Sequence, residues 1–295
     1  MIAFATSLRA RALAGATWDY HVWLLERVVR SMLAQNAGEV RVIVACHDVP
    51  ETSIAADQRV HFMPLNVEVP VRDFDDMVAD KVLKLSAAAQ FARSQGCDYV
   101  VFNDADDLVS NRIGAFVAGR PNANGWYTTA QYFYTYGGRL MRRQRIAAPA
   151  SGPCAIVRTD LLTFERPPFT SQWARTIADG GEQRYVNFLE RHNVEICVLA
   201  AVGIAHYRQF MADRGHPLRP LPFAGNVVIN HKGSMSTAGG THGYQLTSRL
   251  GSLRRSIRWL PTLRYPSAAV RAEFSIPNDH EIPRAYLGGA SIFWR

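Results

Sequence analysis

The chain opens on an apolar run, Ile2-Ala3-Phe4-Ala5, and its pattern predicts a first strand over residues 2–6. The period then becomes helical. Val22, Leu25, Val29, Met32 and Leu33 fall on one face of a segment from Trp18 to about Gln35, with Thr17 as its cap and Gly38 just past its end. Arg41 to Cys46 is a nearly continuous β-branched run, as a strand buried on both faces requires. A short third strand is expected around Val60–Met63, stopping at Pro64. After an irregular acidic stretch, Asp80 is expected to begin a helix over Lys81–Gln95. Gly96 closes it, and it feeds a buried strand, Tyr99-Val100-Val101-Phe102. Strand, helix, strand, strand, helix, strand is the order of an open sheet with right-handed crossovers.

The second half has another texture. Gly125 to Tyr136 alternates weakly and carries Trp126, Tyr127, Tyr132, Phe133, Tyr134 and Tyr136, either as an aromatic-rich core or as the wall of a groove for sugar rings. Ser151 to Val157 reads as a turn entering a short strand. Asp179 to Tyr185 opens a helix to about His192, and Glu195 to Val202 returns as a strand. From Asn230 to Thr247 the chain is rich in Gly, Ser and Thr, which predicts a mobile loop. Leu250, Leu253, Ile257 and Leu260 then share one helical face among Arg249, Arg254, Arg255 and Arg258, with Arg264 beyond Pro261. Such a basic amphipathic helix either packs on the domain with its arginines in water or makes peripheral contact with an anionic membrane surface. No internal repeat is visible. The expected division is a main domain over 1–245 and a basic C-terminal extension over 246–295.

With 295 residues and 48% hydrophobic positions, the chain can bury a full core. It holds no run of 18 apolar residues, and Met1–Thr6 turns polar too soon for a signal peptide, so a cytoplasmic location is expected. Cys46, Cys97, Cys154 and Cys197 form no Cys-x-x-Cys pair and read as small buried hydrophobes. Lys and Arg total 33 against 25 for Asp and Glu, a net +8 that suits an anionic partner.

The candidate chemistry lies in Asp104-Ala105-Asp106-Asp107, directly behind the buried strand. Two like charges about 4 Å apart repel by roughly 1 kcal/mol in water and about 4 kcal/mol at an effective dielectric near 20. A cation relieves this. In an extended segment Asp104 and Asp106 would share a face while Asp107 turns away or caps the next helix, and two aligned carboxylates suit Mg²⁺ or Mn²⁺. The plain alternative is an Asp-rich turn. Position favours the first reading, because the carboxyl edge of an open α/β sheet is where ligands bind. No Walker-type loop and no Gly-x-Gly-x-x-Gly is present. A nucleotidyltransferase acting on sugar phosphates also uses paired Asp, but Thr6-Ser7-Leu8-Arg9-Ala10-Arg11 lacks the glycine such a loop wants. A basic nucleic-acid-binding protein is the non-enzymatic alternative. It has charge and aromatics behind it but no recognition helix or RNA-binding signature, so nucleic acid is not the expected partner.

Strand, Lys-bearing helix, buried strand, Asp-x-Asp-Asp and a late His231-Lys232-Gly233-Ser234-Met235-Ser236 together resemble the GT-A fold of nucleotide-sugar-dependent glycosyltransferases, particularly bacterial family-2-like enzymes. The most specific piece runs from Lys81-Val82-Leu83-Lys84 to Asp104-Ala105-Asp106-Asp107. The resemblance implies an α/β fold with a Rossmann-like open mixed sheet flanked by helices, a nucleotide-binding half over 1–110 and an acceptor-side half over 111–245. It implies Asp104 near the donor ribose and the metal, Asp106 as ligand of a Mn²⁺ or Mg²⁺ ion on the diphosphate, and His231 completing the metal shell, with His206 a weaker candidate. Thr6, Ser7, Arg9, Asp48, Lys81 and Lys84 would meet the nucleotide, although His47-Asp48-Val49-Pro50 departs from the family's Asn-Gly-Ser-like pattern. Gly181-Glu182-Gln183 resembles the family's Gly-Glu-Asp, with Gln183 in place of the Asp, so the base would be Glu182 or Asp179. The implied partners are a nucleotide-sugar donor, with UDP-sugar expected, and a glycan or lipid-linked acceptor in cell-surface polysaccharide synthesis.

Overall fold

The apolar runs of the first half form parallel neighbours. β1 (Ile2–Ser7), β2 (Val40–Cys46), β3 (Val60–Pro64) and β4 (Tyr99–Phe102) lie in the order β4-β1-β2-β3. The structure is a computed structural model that describes residues 1–69, 74–146, 155–169, 183–202, 206–229 and 260–286. Side chains alternate across these strands between two cores. Phe4, Val42, Val44 and Val101 belong to one, while Ala3, Ala5, Ile43, Val100 and Phe102 belong to the other. A strand buried on both faces must be apolar throughout, which is why these runs carry no polar alternation.

Helices cover both faces. The chain leaves β1 through α1 (Arg11–Ala14) into α2 (Trp18–Leu33), whose Leu24, Leu25, Val28, Val29 and Met32 join the first core. Thr17 does not cap α2 through its side chain. Its Oγ1 donates instead to the Ala14 carbonyl at 2.7 Å, because the chain enters α2 already wound through α1 and a 3-10 turn. On the opposite face α3 (Phe74–Ser94) inserts Ala79, Val82, Leu83, Ala88, Ala89 and Ala92 into the second core. This helix starts two turns earlier than expected. Asp75 and Asp76 occupy its first turn, where the helix dipole favours acids, and Asp80 becomes a buried interior residue. Gly96, at φ +70°, ends it as expected.

The remaining strands among the described residues are β5 (Asp107–Val109), β6 (Gly125–Tyr127), β7 (Ala130–Tyr134), β8 (Met141–Arg145), β9 (Ala155–Arg158), β10 (Phe164–Glu165), β11 (Ile196–Cys197), β12 (Arg219–Pro220), β13 (Asn226–Ile229) and β14 (Leu263–Arg264). β9 joins β4 antiparallel, and β6 and β12 extend the edge. The result is a seven-stranded open mixed sheet in the order β12-β6-β9-β4-β1-β2-β3. A second sheet, β14-β8-β7-β13-β5, packs over the first core. The chain first passes between the two sheets from β4 to β5, through Asn103–Asp106.

α4 (Ile113–Ala118), α5 (Gln183–Arg191), α6 (Val198–Val202), α7 (Tyr207–Asp213) and α8 (Ala268–Phe274) complete the described helices. The expected strand over Glu195–Val202 is cut to Ile196–Cys197. The Cys197 N–H donates to Ser86 Oγ of α3 at 2.9 Å, and Val198-Leu199-Ala200-Ala201 turns helical against that helix. At the other end, Phe274, Ile276 and Ile282 enter the first core, and Glu273 accepts from Ser110 Oγ at 2.7 Å. Cys46, Cys97 and Cys197 are buried free thiols, whereas Cys154, the loop expected over 230–247 and all but the last residue, Leu260, of the helix expected before Pro261 lie outside the described residues. No helix among the described residues is long and apolar enough to cross a membrane.

Candidate functional site at the carboxyl edge of the sheet

The strand order reverses at β1. Its successors β2 and β3 lie on one side and β4 on the other, so the carboxyl ends of β1 and β4 meet at the kind of reversal where open α/β sheets bind ligands. The acidic run occupies that point. It does not continue as an extended strand, as the sequence suggested. Asp104–Asp106 turns, the Asp107 N–H reaches the Asp104 carbonyl at 3.3 Å, and Asp107 becomes the first residue of β5. Asp104 and Asp106 are half-buried and Asp107 is buried, so Asp107 neither turns to solvent nor caps a helix.

Asn103 holds this turn. Its own N–H donates to the Ala5 carbonyl at 2.9 Å, and its Nδ2 donates to the carbonyls of both Asp104 and Asp107 at 2.8 Å each. An amide with two donors is suited to clamping two carbonyls three residues apart. Asn103 escaped the sequence analysis, although a lone polar residue between an apolar strand and an acidic run was a usable signal.

Electrostatics divides the three carboxylates. Burial raises Asp107 well above the ordinary carboxyl range, with Asp106 and Asp104 adding to it; the Ile229 N–H, donating at 3.3 Å, works the other way. Asp104 is met by the ammonium of Lys81. Burial disfavours that charge, but Asp104, with Asp106 and Asp107 behind it, outweighs burial and raises the Lys81 pKa. The two side chains remain 31% and 29% exposed, so the pair contributes about 1 kcal/mol or less.

Lys84, one turn on, is placed differently. It is 1% exposed, donates to Asp80 Oδ2 at 2.6 Å and to the Leu8 carbonyl at 2.9 Å, and burial lowers its pKa against the pull of Asp80. The other oxygen of Asp80 lies 2.7 Å from His47 Nε2. This buried triad ties α3 to the loops after β1 and β2. Asp48, exposed beside it, accepts the Arg11 N–H at 2.9 Å and bridges the same two loops. Thr6 is fully buried, and Ser7 and Arg9 are half-buried where β1 ends.

The strand ends of the second sheet converge here too. Asp107 pairs with Val228 on β13, and Ile229, beside Tyr134 of β7, ends the described part of that strand. His231 stands two residues further on, and Asp179 and Glu182 precede α5; all three lie outside the described residues. His206 is exposed before α7. Of the six aromatics read as either core or groove wall, Trp126, Tyr134 and Tyr136 are core at 1–2% exposure, while Tyr127, Tyr132 and Phe133 are half-buried. Aromatics that the sequence reading passed over border the acidic turn instead. Tyr20, raised to about 12 by burial and then by Asp106, lies 4.7 Å from Tyr286 and 6.1 Å from Trp23, ring centre to ring centre. Tyr20 and Trp23, three apart at the start of a helix, were a readable stripe.

A cleft of about 600 Å³ opens at the opposite, amino-terminal edge of the sheet. Among its charged groups, Asp98 pairs with the Met1 amine at 2.5 Å and Arg158 with Asp160 at 2.6 Å, while Arg93 lies over the Phe164 ring.

Asp104 and Asp106 offer oxygen donors alone, the set that hard Mg²⁺ and Mn²⁺ prefer, and Lys81 shows that a cation is accepted there. Among the described residues no group of three or more His, Cys, Asp or Glu side chains converges, so such an ion would take two carboxylates and complete its shell from substrate and water.

No protein-family model and no curated protein matches the chain. Among solved structures it is similar to a proposed nucleotide-diphospho-sugar transferase from Desulfovibrio desulfuricans G20, at 13% identity and a TM-score of 0.33 over 88% of this chain and 94% of that one. It is also similar to the apo form of the glycosyltransferase GlyE from Streptococcus pneumoniae TIGR4, at 10% identity and a TM-score of 0.29. That match covers 75% of this chain and 44% of that one. The functional reading rests on the residues themselves.

Proposed function

We propose that the chain is a GT-A-type glycosyltransferase that binds a nucleotide-sugar, with UDP-sugar the first choice, at the carboxyl ends of β1 and β4. The observation that carries the reading is the acidic turn at the strand-order reversal, clamped by Asn103 and facing the ammonium of Lys81. Asp48 and the loop after β1 lie where the nucleoside would enter. Asp104 and Asp106 would hold Mn²⁺ or Mg²⁺, and that ion would neutralise the diphosphate as it leaves.

The remaining chemistry falls to the chain's own groups. Lys81 adds a positive charge beside the leaving group, and electrostatic stabilisation of developing charge is worth most in a partly desolvated site. Burial and the charge of Asp106 raise the Tyr20 pKa, so Tyr20 keeps its proton and adds no negative charge to the site. Glu182 is the proposed base for the acceptor hydroxyl, with Asp179 second. The acceptor is proposed to be a glycan or lipid-linked sugar of a cell-surface polysaccharide, reached from an anionic membrane surface through the basic stretch 249–264.

A thermal-shift panel of UDP, GDP, CMP and ADP with and without Mn²⁺ tests this reading. One nucleotide should raise the melting temperature only when the ion is present. The absence of a metal-linked shift for all four would overturn it. Glu182→Gln should keep that shift and lose sugar transfer, and unchanged transfer would remove Glu182 as the base.

A further inference from the structure

We propose that Lys81 is a resident counter-cation of the acidic turn, displaced from Asp104 when a divalent ion binds, and that the freed ammonium then engages the donor's diphosphate. The inference rests on the metal-dependent reading above.

Two lysines one turn apart make the case by contrast. Lys84 is buried and committed to Asp80 Oδ2 and the Leu8 carbonyl, so its ammonium is a fixed part of the fold. Lys81 is 31% exposed, and the ion pair it makes among the described residues is with Asp104. Its flexible four-carbon stem can carry the charge elsewhere without breaking the core. The same Asp104 oxygen cannot hold both an ammonium and a divalent ion at close range. The two cations also repel each other, so each must weaken the binding of the other. A diphosphate arriving with the ion brings acceptor oxygens for the lysine at the moment Asp104 is taken from it. The pair is weak because it is part-exposed, which is what an exchangeable counter-cation requires.

The test measures Mn²⁺ binding to the full chain without nucleotide, by electron paramagnetic resonance of the free ion, for wild type, Lys81→Met and Lys81→Arg. Calorimetry of UDP at saturating Mn²⁺ is then run on the same proteins. Lys81→Met should bind Mn²⁺ at least about tenfold more tightly than wild type, yet bind UDP at least about tenfold more weakly, and Lys81→Arg should restore most of the UDP affinity. A lysine with only a structural role would not move the two affinities in opposite directions. Equal or weaker Mn²⁺ binding by Lys81→Met, with wild type still binding the ion, would overturn the exchange and leave the metal-dependent reading standing. No Mn²⁺ binding by any of the three without nucleotide would overturn the exchange, and UDP binding that does not depend on Mn²⁺ in wild type would overturn the metal-dependent reading as well.

Discussion

Lys84 and Asp80 form a 2.6 Å ion pair one turn apart on α3, buried beneath the loop that leaves β1. Breaking such a pair leaves a buried charge without its partner, at a cost of about 3–5 kcal/mol. Lys84→Met is predicted to lose about 3 kcal/mol in urea denaturation, with Asp80→Asn close behind because it weakens the contacts to both Lys84 and His47. A loss under about 1 kcal/mol in Lys84→Met would show that the triad is not what joins the two loops to α3.

Asn103→Ala is predicted to remove two hydrogen bonds from the acidic turn, at about 1–3 kcal/mol, and to weaken Mn²⁺ binding more than tenfold by letting Asp104 and Asp106 drift apart. Asn103→Asp should cost more stability than Asn103→Ala, since a carboxylate cannot donate to the two carbonyls and adds like charge to the turn. Denaturation and ion titration on the same samples check this. Unchanged ion affinity in Asn103→Ala would mean that the turn is held elsewhere.

The pH dependence of stability should carry the mark of Asp107. Burial, with Asp106 and Asp104, holds its folded-state pKa above the unfolded value, so folding favours the protonated form. Its contribution is present below the unfolded pKa and is lost as pH rises through the folded one. Asp107→Asn keeps an acceptor for the Ile229 N–H without the charge. Melts from about pH 4 to about pH 9 should show the variant gaining on wild type as pH rises, and a constant difference would contradict the assignment.

Gly125 opens β6 at φ +142°, and a Cβ there would lie 2.0 Å from the Ile156 carbonyl oxygen of β9. Gly125→Ala should therefore destabilise the protein by at least about 2 kcal/mol in chemical denaturation, through backbone strain and forced separation of β6 from β9. A neutral substitution would mean that the two strands separate at little cost.

The strands β1, β2 and β4 and the helix α2 were legible because one physical constraint, burial on both faces or on one stripe, writes itself directly into the residue pattern. The start of α3 was not. Phe74, Met77 and Val78 lie among Asp75, Asp76 and Asp80, and the acids read as an irregular loop until the structure shows Asp80 buried against Lys84 and His47. The same limit applied at Asp107. Its carboxyl looks like surface in the sequence, and only the pairing of β5 with β13, whose residues are more than a hundred positions away, buries it. Asp104 and Asp106 could be picked out as chemistry because charge crowding is local, but the contact between Lys81 and Asp104 spans a helix and a strand and needed the fold. Val198–Val202, apolar throughout, shows the ordinary ambiguity of short apolar runs, resolved here by the Ser86 contact that turns the chain.

Isothermal calorimetry of UDP, with and without Mn²⁺, on wild type and Asp106→Asn tests the donor site most directly. Binding that requires both the ion and Asp106, in a variant that melts like wild type, is the predicted result. UDP binding that persists without Mn²⁺ or survives Asp106→Asn would contradict the placement of a metal-dependent donor site at the acidic turn.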